Sequence, residues 1–311
     1  MSGSTTIQAI RAHDYGGPEV LLLEQVPRPE PQKDQVLIRV KAAGVDPVDW
    51  KTRAGFYKQF MPLSFPWTPG IEAAGTVEAI GPDVTNVQIG QDVYGIVAGG
   101  YAEYALASAQ DIQPKPLALS FDEAASVPVG ALTAWQAVIE KANVQEGQRI
   151  LVQGAAGGVG VWAVQLTLWK GAQVIGTASA SNVNFLRALG VETVIDYTST
   201  AFETVVRDVD AVIDTVGGDL PDRSWQVLRP GGILVTVAAR LPEDAGKKHG
   251  VRATSSGRAS EENLKTISEL IESGKAKPVV GNTFSLTNAA KAQELSQTGH
   301  GRGRIILHVA D

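Results

Sequence analysis

Ile150-Leu151-Val152-Gln153-Gly154-Ala155-Ala156-Gly157-Gly158-Val159-Gly160 runs from an apolar strand into a glycine-rich turn, and a helical pattern follows directly. Glycine lets such a turn bend tightly, lets a ligand approach the backbone, and lets helix pack close on strand. The first backbone N–H groups of the helix have no partner within it, and its dipole favours negative charge there. A pyrophosphate suits that place. Against the pattern G-x-G-x-x-G the chain reads Ala155-Ala156-Gly157-Gly158-Val159-Gly160, with Ala155 for the first glycine. A glycine-rich turn without a ligand is the bland alternative, because the pattern recurs by chance. The strand before it and the helix after it supply the context that a dinucleotide site requires. Gly154, Ala155, Ala156, Gly157, Gly158, Val159 and Gly160 are therefore assigned to a dinucleotide.

Alternation continues on both sides of this turn. Runs of strand length at Arg149–Gln153, Gln173–Thr177, Thr193–Asp196, Ala211–Asp214 and Ile233–Val237 come with helical patterns at Val159–Lys170 and Asn182–Leu189. A helical turn at Asp122–Ala125 and a helix over Ala131–Lys141 precede them. Such a series predicts a parallel sheet wrapped by helices. A polar stretch, Arg240–Ser260, leads to a helix at Glu261–Ser273, a strand at Pro278–Phe284, a helix at Asn288–Gln297 and a strand at Arg304–Val309. Before Phe121 the character differs. Val36–Val40, Gly75–Ile80, Asp92–Gly95 and Tyr101–Tyr104 are short β runs broken by glycine and proline, which predicts a barrel-like antiparallel domain. The final strand needs partners and is expected to return to that domain. The expected division is 1–121 with 279–311, and 122–278.

The 311 residues, 44% hydrophobic and 19% charged, have an ordinary globular composition. A net charge of −6 without a basic stripe argues against a nucleic-acid partner. No uninterrupted apolar run reaches the roughly 18 residues of a membrane span. Met1–His13 lacks the apolar core of a signal peptide, so the expected address is the cytoplasm. Cysteine is absent, which excludes disulfides, thiolate metal sites and a cysteine nucleophile.

The adenosine ribose should meet the end of the strand that follows the glycine turn, about 20 residues on. There the chain reads Val174-Ile175-Gly176-Thr177-Ala178-Ser179-Ala180-Ser181-Asn182, and no acid occurs from Val161 through Val191. A carboxylate that would repel a 2′-phosphate is missing from this stretch. Ser179, Ser181 and Asn182 offer hydrogen bonds, and Tyr197 at the end of the next strand adds a phenol. The serines read equally as caps of the helix that follows. No cation stands at the strand end; Lys170 and Arg187 are the nearest in sequence. NADPH is the expected cofactor.

Seven segments together resemble the zinc-independent quinone oxidoreductase group of the medium-chain dehydrogenase/reductase superfamily over nearly the whole chain. They are Gly44–Trp50, Pro69–Gly75, Gly99–Tyr104, Ala124–Pro128, Ala155–Gly160, Asp214–Gly218 and Pro230–Gly232. The resemblance implies an α/β protein: a Rossmann doubly wound parallel sheet plus a GroES-like, partly open β-barrel. Zinc-dependent members carry cysteine where this chain has Asp46 and histidine where it has Ile71. Isoleucine cannot coordinate zinc, and the four histidines form no paired-ligand spacing. No metal is expected. Without a Lewis acid the acceptor must take hydride readily, as quinones and α,β-unsaturated carbonyl compounds do, with catalysis coming from positioning and from donors aimed at the oxygen.

The resemblance also suggests site residues. Asp46 stands where quinone reductases of this group usually carry asparagine near nicotinamide and substrate; it reads alternatively as a turn residue before Pro47. Ionised aspartate accepts only, so it reproduces the amide donor only when protonated. Tyr57 matches a substrate-lining tyrosine that could give a proton or a hydrogen bond, or simply pack. Trp50, Phe60 and Trp67 are candidates to wall an aromatic acceptor, although large aromatics are more often core. Thr133 matches a threonine on the nicotinamide side. Thr215, Val216 and Gly217, with Val237, Ala238 and Ala239, are expected along the nicotinamide half, and Arg302 near the cofactor or in solvent. Two other readings stay open: an enoyl-thioester reductase, with Lys51, Arg53 and Lys58 as the nearby basic residues, and a non-catalytic nucleotide-binding protein. A homodimer is expected by analogy.

Overall fold

The computed structural model describes residues 6–242 and 244–310. They fall into two compact units, Met1–Val129 with Leu264–Glu272 and Pro278–Asp311, and Gly130–Asn263 with Ser273–Lys277.

In the second unit six parallel strands stand in the order Thr193–Asp196, Gln173–Ala178, Arg149–Gln153, Val209–Asp214, Leu228–Thr236, Arg252–Ser255. Counted along the chain from Arg149 this is 3-2-1-4-5-6, the Rossmann order. The central strands are buried on both faces, so Ile150, Leu151, Val152, Val212, Ile213, Leu234 and Val235 form unbroken apolar runs instead of alternating. The helix Gly160–Trp169 is buried from Gly160 to Thr167 and accordingly lacks a polar face. The sixth strand, Arg252–Ser255, lies inside the stretch that reads only as polar. As an edge strand with half-exposed side chains it carries no apolar period to detect. The helix expected from Ala131 to Lys141 starts earlier, at Pro128, and from Gln136 to Lys141 takes the wider winding of a π-helix.

In the first unit the long strand Gln35–Val45 organises a seven-stranded sheet. Along one edge its first half pairs with Tyr104–Ser108 and its second half with Arg304–His308, while Glu72–Ile80 runs along the other. Val280–Ser285, Asp92–Ile96 and Ile112–Pro114 extend the sheet outward. Register shifts at Leu37/Ile38 and Val40/Ala42 bend the shared strand and help close the partly open, GroES-like barrel. Val36, Ile38, Val40, Ala43, Val77, Val93, Ile112 and Leu307 fill it, each larger side chain contributing about 1.5–3 kcal/mol by burial. The β run expected at Tyr101–Tyr104 begins only at Tyr104. Tyr101 and Ala102 instead bond across to Ile10 and Ala9 at the hairpin Thr6–Arg11/Leu22–Pro27, which takes them out of the barrel ladder.

Candidate functional site

The glycine-rich turn lies at the carboxyl end of Arg149–Gln153, where the strand order of the parallel sheet reverses. Ligands of open α/β sheets bind at such a point. Gly154 turns the chain at φ +68°, a conformation that side chains resist, and donates its N–H to Thr177 Oγ1 at 3.2 Å. Gly160 lies so close to the Gly154 carbonyl and the Ala155 backbone that any Cβ there would overlap them. Gly157 differs. A Cβ on it would meet only Gly154 O, at 3.4 Å, so the protein's own packing does not demand glycine there. The space a side chain would fill is space a pyrophosphate could use, and the turn fits that group.

A neighbouring loop is held by Asp214, fully buried at the end of its strand. Its Oδ1 accepts from Val216 N and Gly217 N, both at 2.9 Å, and its Oδ2 accepts from Thr236 Oγ1 at 2.6 Å. Thr215 Oγ1 donates to Gln153 O at 2.8 Å, tying this loop to the glycine turn. Val216 is left 57% exposed, an apolar side chain available to a flat ring. Val237, Ala238 and Ala239 follow the next strand, and Ala238 N donates to Thr236 Oγ1. Thr133 is half-buried on the helix Pro128–Trp135.

Ser179, Ser181 and Asn182 form one short turn at the end of Gln173–Ala178. Ser179 Oγ lies 3.1 Å from Ser181 Oγ and accepts from Asn182 Nδ2 at 3.3 Å. Tyr197 N donates to Ala178 O, which brings the exposed tyrosine beside that turn. Asp196 comes with it, an acid that reading only to Val191 misses. Its carboxylate accepts from the Thr198 hydroxyl at 2.7 Å and the Thr198 N–H at 3.0 Å, which hold its pKa below the ordinary range.

The first unit gathers buried charges. Asp46 starts the helix Pro47–Arg53, and its N–H donates to Asp49 Oδ2 at 2.9 Å. Arg304 forms ion pairs with Asp46 Oδ1 through Nη1, at 2.5 Å, and with Glu72 Oε1 through Nε, at 3.0 Å. Sheet register makes this meeting unavoidable: Ile305 pairs with Val45, and Ala73 with Ala43. A Cβ on Gly44 would overlap the Glu72 carboxylate, so only glycine fits between. Glu72 Oε2 accepts from Val129 N at 2.7 Å. Neither Glu72 nor Arg304 is singled out by the sequence. Asp46 and Arg304 are 258 residues apart, and no local pattern joins them.

Asp49 also accepts from Tyr101 Oη at 3.0 Å and from Gly70 N at 3.2 Å. Burial, then the charge of Asp46, raises its pKa from 3.8 to about 7. An unfolded chain releases this proton near 3.8 while the folded protein keeps it to about 7. The contribution to stability is complete below the lower value and is lost as pH rises through the higher one. Urea midpoints should therefore fall over this window, and less steeply in D49N, whose amide does not titrate.

The aromatic candidates separate. Trp50 and Phe56 form an edge-to-face pair at 5.7 Å, and Tyr57 and Phe60 a tilted pair at 6.5 Å, with Phe60 largely exposed. Burial raises the Tyr57 pKa, keeping its hydroxyl a donor. Trp67 exchanges two backbone hydrogen bonds with Ala12 and packs on the barrel core. Arg302 is exposed, two residues before Arg304.

Residues 32–117 match the family model described as an alcohol dehydrogenase GroES-like domain, and residues 189–307 the one described as a zinc-binding dehydrogenase. The mouse quinone oxidoreductase is 33% identical over 98% of this chain and 99% of its own length. This chain belongs to the medium-chain dehydrogenase/reductase superfamily, in its quinone oxidoreductase group. The tomato 2-methylene-furan-3-one reductase is 35% identical, covering 95% of this chain and 77% of its own. The solved quinone oxidoreductase of Coxiella burnetii superposes with a TM-score of 0.90 at 38% identity, covering 98% and 99% of the two chains. A mycobacterial protein solved with NADPH does so at 0.89 and 28% identity, covering 97% and 99%. Membership in the superfamily carries nicotinamide-dependent oxidoreduction with it. Among the described residues no helix is long and apolar enough to cross a membrane.

Proposed function

We propose that this protein transfers hydride from NADPH to a quinone or an α,β-unsaturated carbonyl compound without a metal ion. The observation that carries the metal-free part is the pair of positions where zinc-dependent relatives hold their ligands. Ile71 has no donor atom, and Asp46 is committed to Arg304. An acceptor reduced without Lewis-acid help must spread the incoming charge itself, and conjugated carbonyls do so. The neighbouring tomato enzyme's substrate, by its name, has that conjugation. NADPH is favoured by the turn of Ser179, Ser181 and Asn182 and by Tyr197 beside it. Those hydroxyl, amide and phenol groups suit a 2′-phosphate. The same reading takes the protein as a cytoplasmic homodimer, by analogy with the group; light scattering tests the dimer.

Stopped-flow oxidation of NADPH against a panel of quinones and enones tests the activity. Turnover on at least one acceptor is expected, in protein stripped with a chelator as in untreated protein. NADPH should bind at least about tenfold more tightly than NADH, a difference of about 1.4 kcal/mol. Tight binding with no turnover would favour a binding protein. Loss of turnover on chelation, restored by zinc, would overturn the metal-free assignment.

A further inference from the structure

Gln153, Asp214, Thr236 and Ser255 stand at one level across four neighbouring strands of the second unit. The parallel register pairs Gln153 with Asp214, Asp214 with Thr236, and Thr236 with Ser255. The segments that follow these residues therefore leave the carboxyl edge of the sheet in one row. Three of them carry residues expected to meet the dinucleotide: the glycine-rich turn from Gly154, residues 215–217 and residues 237–239. The fourth, Ser256-Gly257-Arg258, follows the edge strand Arg252–Ser255 and ends the row. Ligands of open α/β sheets lie along this edge.

An edge strand has hydrogen-bond partners on one side only. Its ladder reaches Ser256, whose N–H donates to Thr236 O at 2.8 Å. Past that bond one side chain takes over. Gln136 Oε1 accepts from Ser256 Oγ at 2.9 Å and from Gly257 N at 2.7 Å, and Gln136 Nε2 donates to Arg258 O at 3.1 Å. A single amide thus holds three consecutive residues, and the middle one is of the most flexible type. Ala259 N then donates to Leu132 O at 3.1 Å, which returns the chain to the helix that carries Gln136.

Gln136 opens the π-helical stretch, where Ala142 N reaches back five residues to Ala137 O. Such wide turns are rare and recur at functional sites. The loop that Gln136 holds is braced against its neighbours through Thr236. The Thr236 hydroxyl donates to Asp214, the carboxylate that also holds Val216 N and Gly217 N, and it accepts from Ala238 N. Three successive loops of the row therefore share one support.

We propose that Gln136 is a positioning residue for the nicotinamide: by fixing residues 256–258 it sets the outer wall of the place where the ring lies. The inference rests on the function proposed above, in which the nicotinamide of NADPH lies along residues 215–217 and 237–239. Gln136 acts through the loop. A ring whose outer wall shifts is held less tightly and is turned away from the geometry that hydride transfer requires. The adenosine phosphates keep their own seat at the glycine-rich turn, three strands along the sheet.

Calorimetric titration with NADPH and with 2′,5′-ADP, which keeps the adenosine phosphates and lacks the nicotinamide, separates this role from a purely structural one. Q136M removes the three hydrogen bonds with little change in side-chain size. It should weaken NADPH binding about tenfold and leave 2′,5′-ADP within about twofold of wild type. The emission of the bound dihydronicotinamide, which reports the surroundings of the ring, should move toward that of free NADPH. At saturating NADPH, kcat on an enone should fall about tenfold as well. S256A removes one of the three bonds and should show the same split between the two ligands at about threefold, which keeps the test decisive if Q136M folds poorly. Equal weakening of both ligands, or variants that match wild type in NADPH affinity and emission, overturns the inference and leaves the proposed function standing. Wild-type protein that binds no NADPH overturns the two together.

Discussion

G160A should lower dinucleotide affinity by about 100-fold or more, roughly 2.7 kcal/mol, and destabilise the protein by about 1–3 kcal/mol. The added methyl would occupy the position of the Gly154 carbonyl and the Ala155 backbone, so the turn must open to admit it. Opening the turn moves the helix Gly160–Trp169 off the strand Arg149–Gln153 and redirects the N–H groups at its start. G157A is the informative partner. Its methyl meets one protein atom at ordinary van der Waals distance, so thermal stability should stay within about 0.5 kcal/mol of wild type. Cofactor binding should nonetheless weaken, because the methyl enters space that the packing leaves open. Calorimetric titration of both variants with NADPH, alongside melting curves, separates a turn needed for folding from a turn needed for the ligand. Equal effects of the two substitutions on stability would contradict this account.

R304M should cost about 3–5 kcal/mol of stability, because it leaves the buried Asp46 and Glu72 carboxyls facing each other without a cation. For a chain of this size that corresponds to a fall in Tm of roughly 5–8 °C. Both carboxyls would then resist ionisation more strongly in the folded than in the unfolded state. Their penalty therefore grows as pH rises and shrinks on acidification, so the deficit of R304M should be smallest at low pH. R304K keeps the charge but cannot reach two carboxyls with a planar fork, and should fall between. A loss in R304M that does not vary with pH would point to lost packing instead of unpaired charge.

Much of the second unit was legible because its signals are local. A buried parallel strand needs a continuous apolar run, and Ile150–Val152, Val212–Ile213 and Leu234–Val235 supply it within a few residues. The strand Thr193–Asp196 occupies the expected residues, and the helix expected at Val159–Lys170 differs by one residue at each end. Arg252–Ser255 escaped notice because an edge strand can be polar and still be held by its ladder. Asp214 left a faint trace, an acid closing an apolar strand just before two glycines. Its burial and its three hydrogen bonds appear only when Val216, Gly217 and Thr236 are brought around it.

By itself the sequence determined where the chain can bend, which runs must be buried, and that Ile71 and the absent cysteines leave no familiar zinc ligands at the expected positions. Each of these follows from the chemistry of neighbouring residues: a missing Cβ, an apolar run, a side chain without a donor atom. Tertiary structure alone decided the charge state of the first unit. Asp46, Glu72 and Arg304 belong to three separate strands or strand ends, and sheet register, a long-range property, sets them within ion-pair distance. Whether a carboxyl keeps its proton depends on burial and on which charges stand beside it, and neither is written in the residues next to it in the chain.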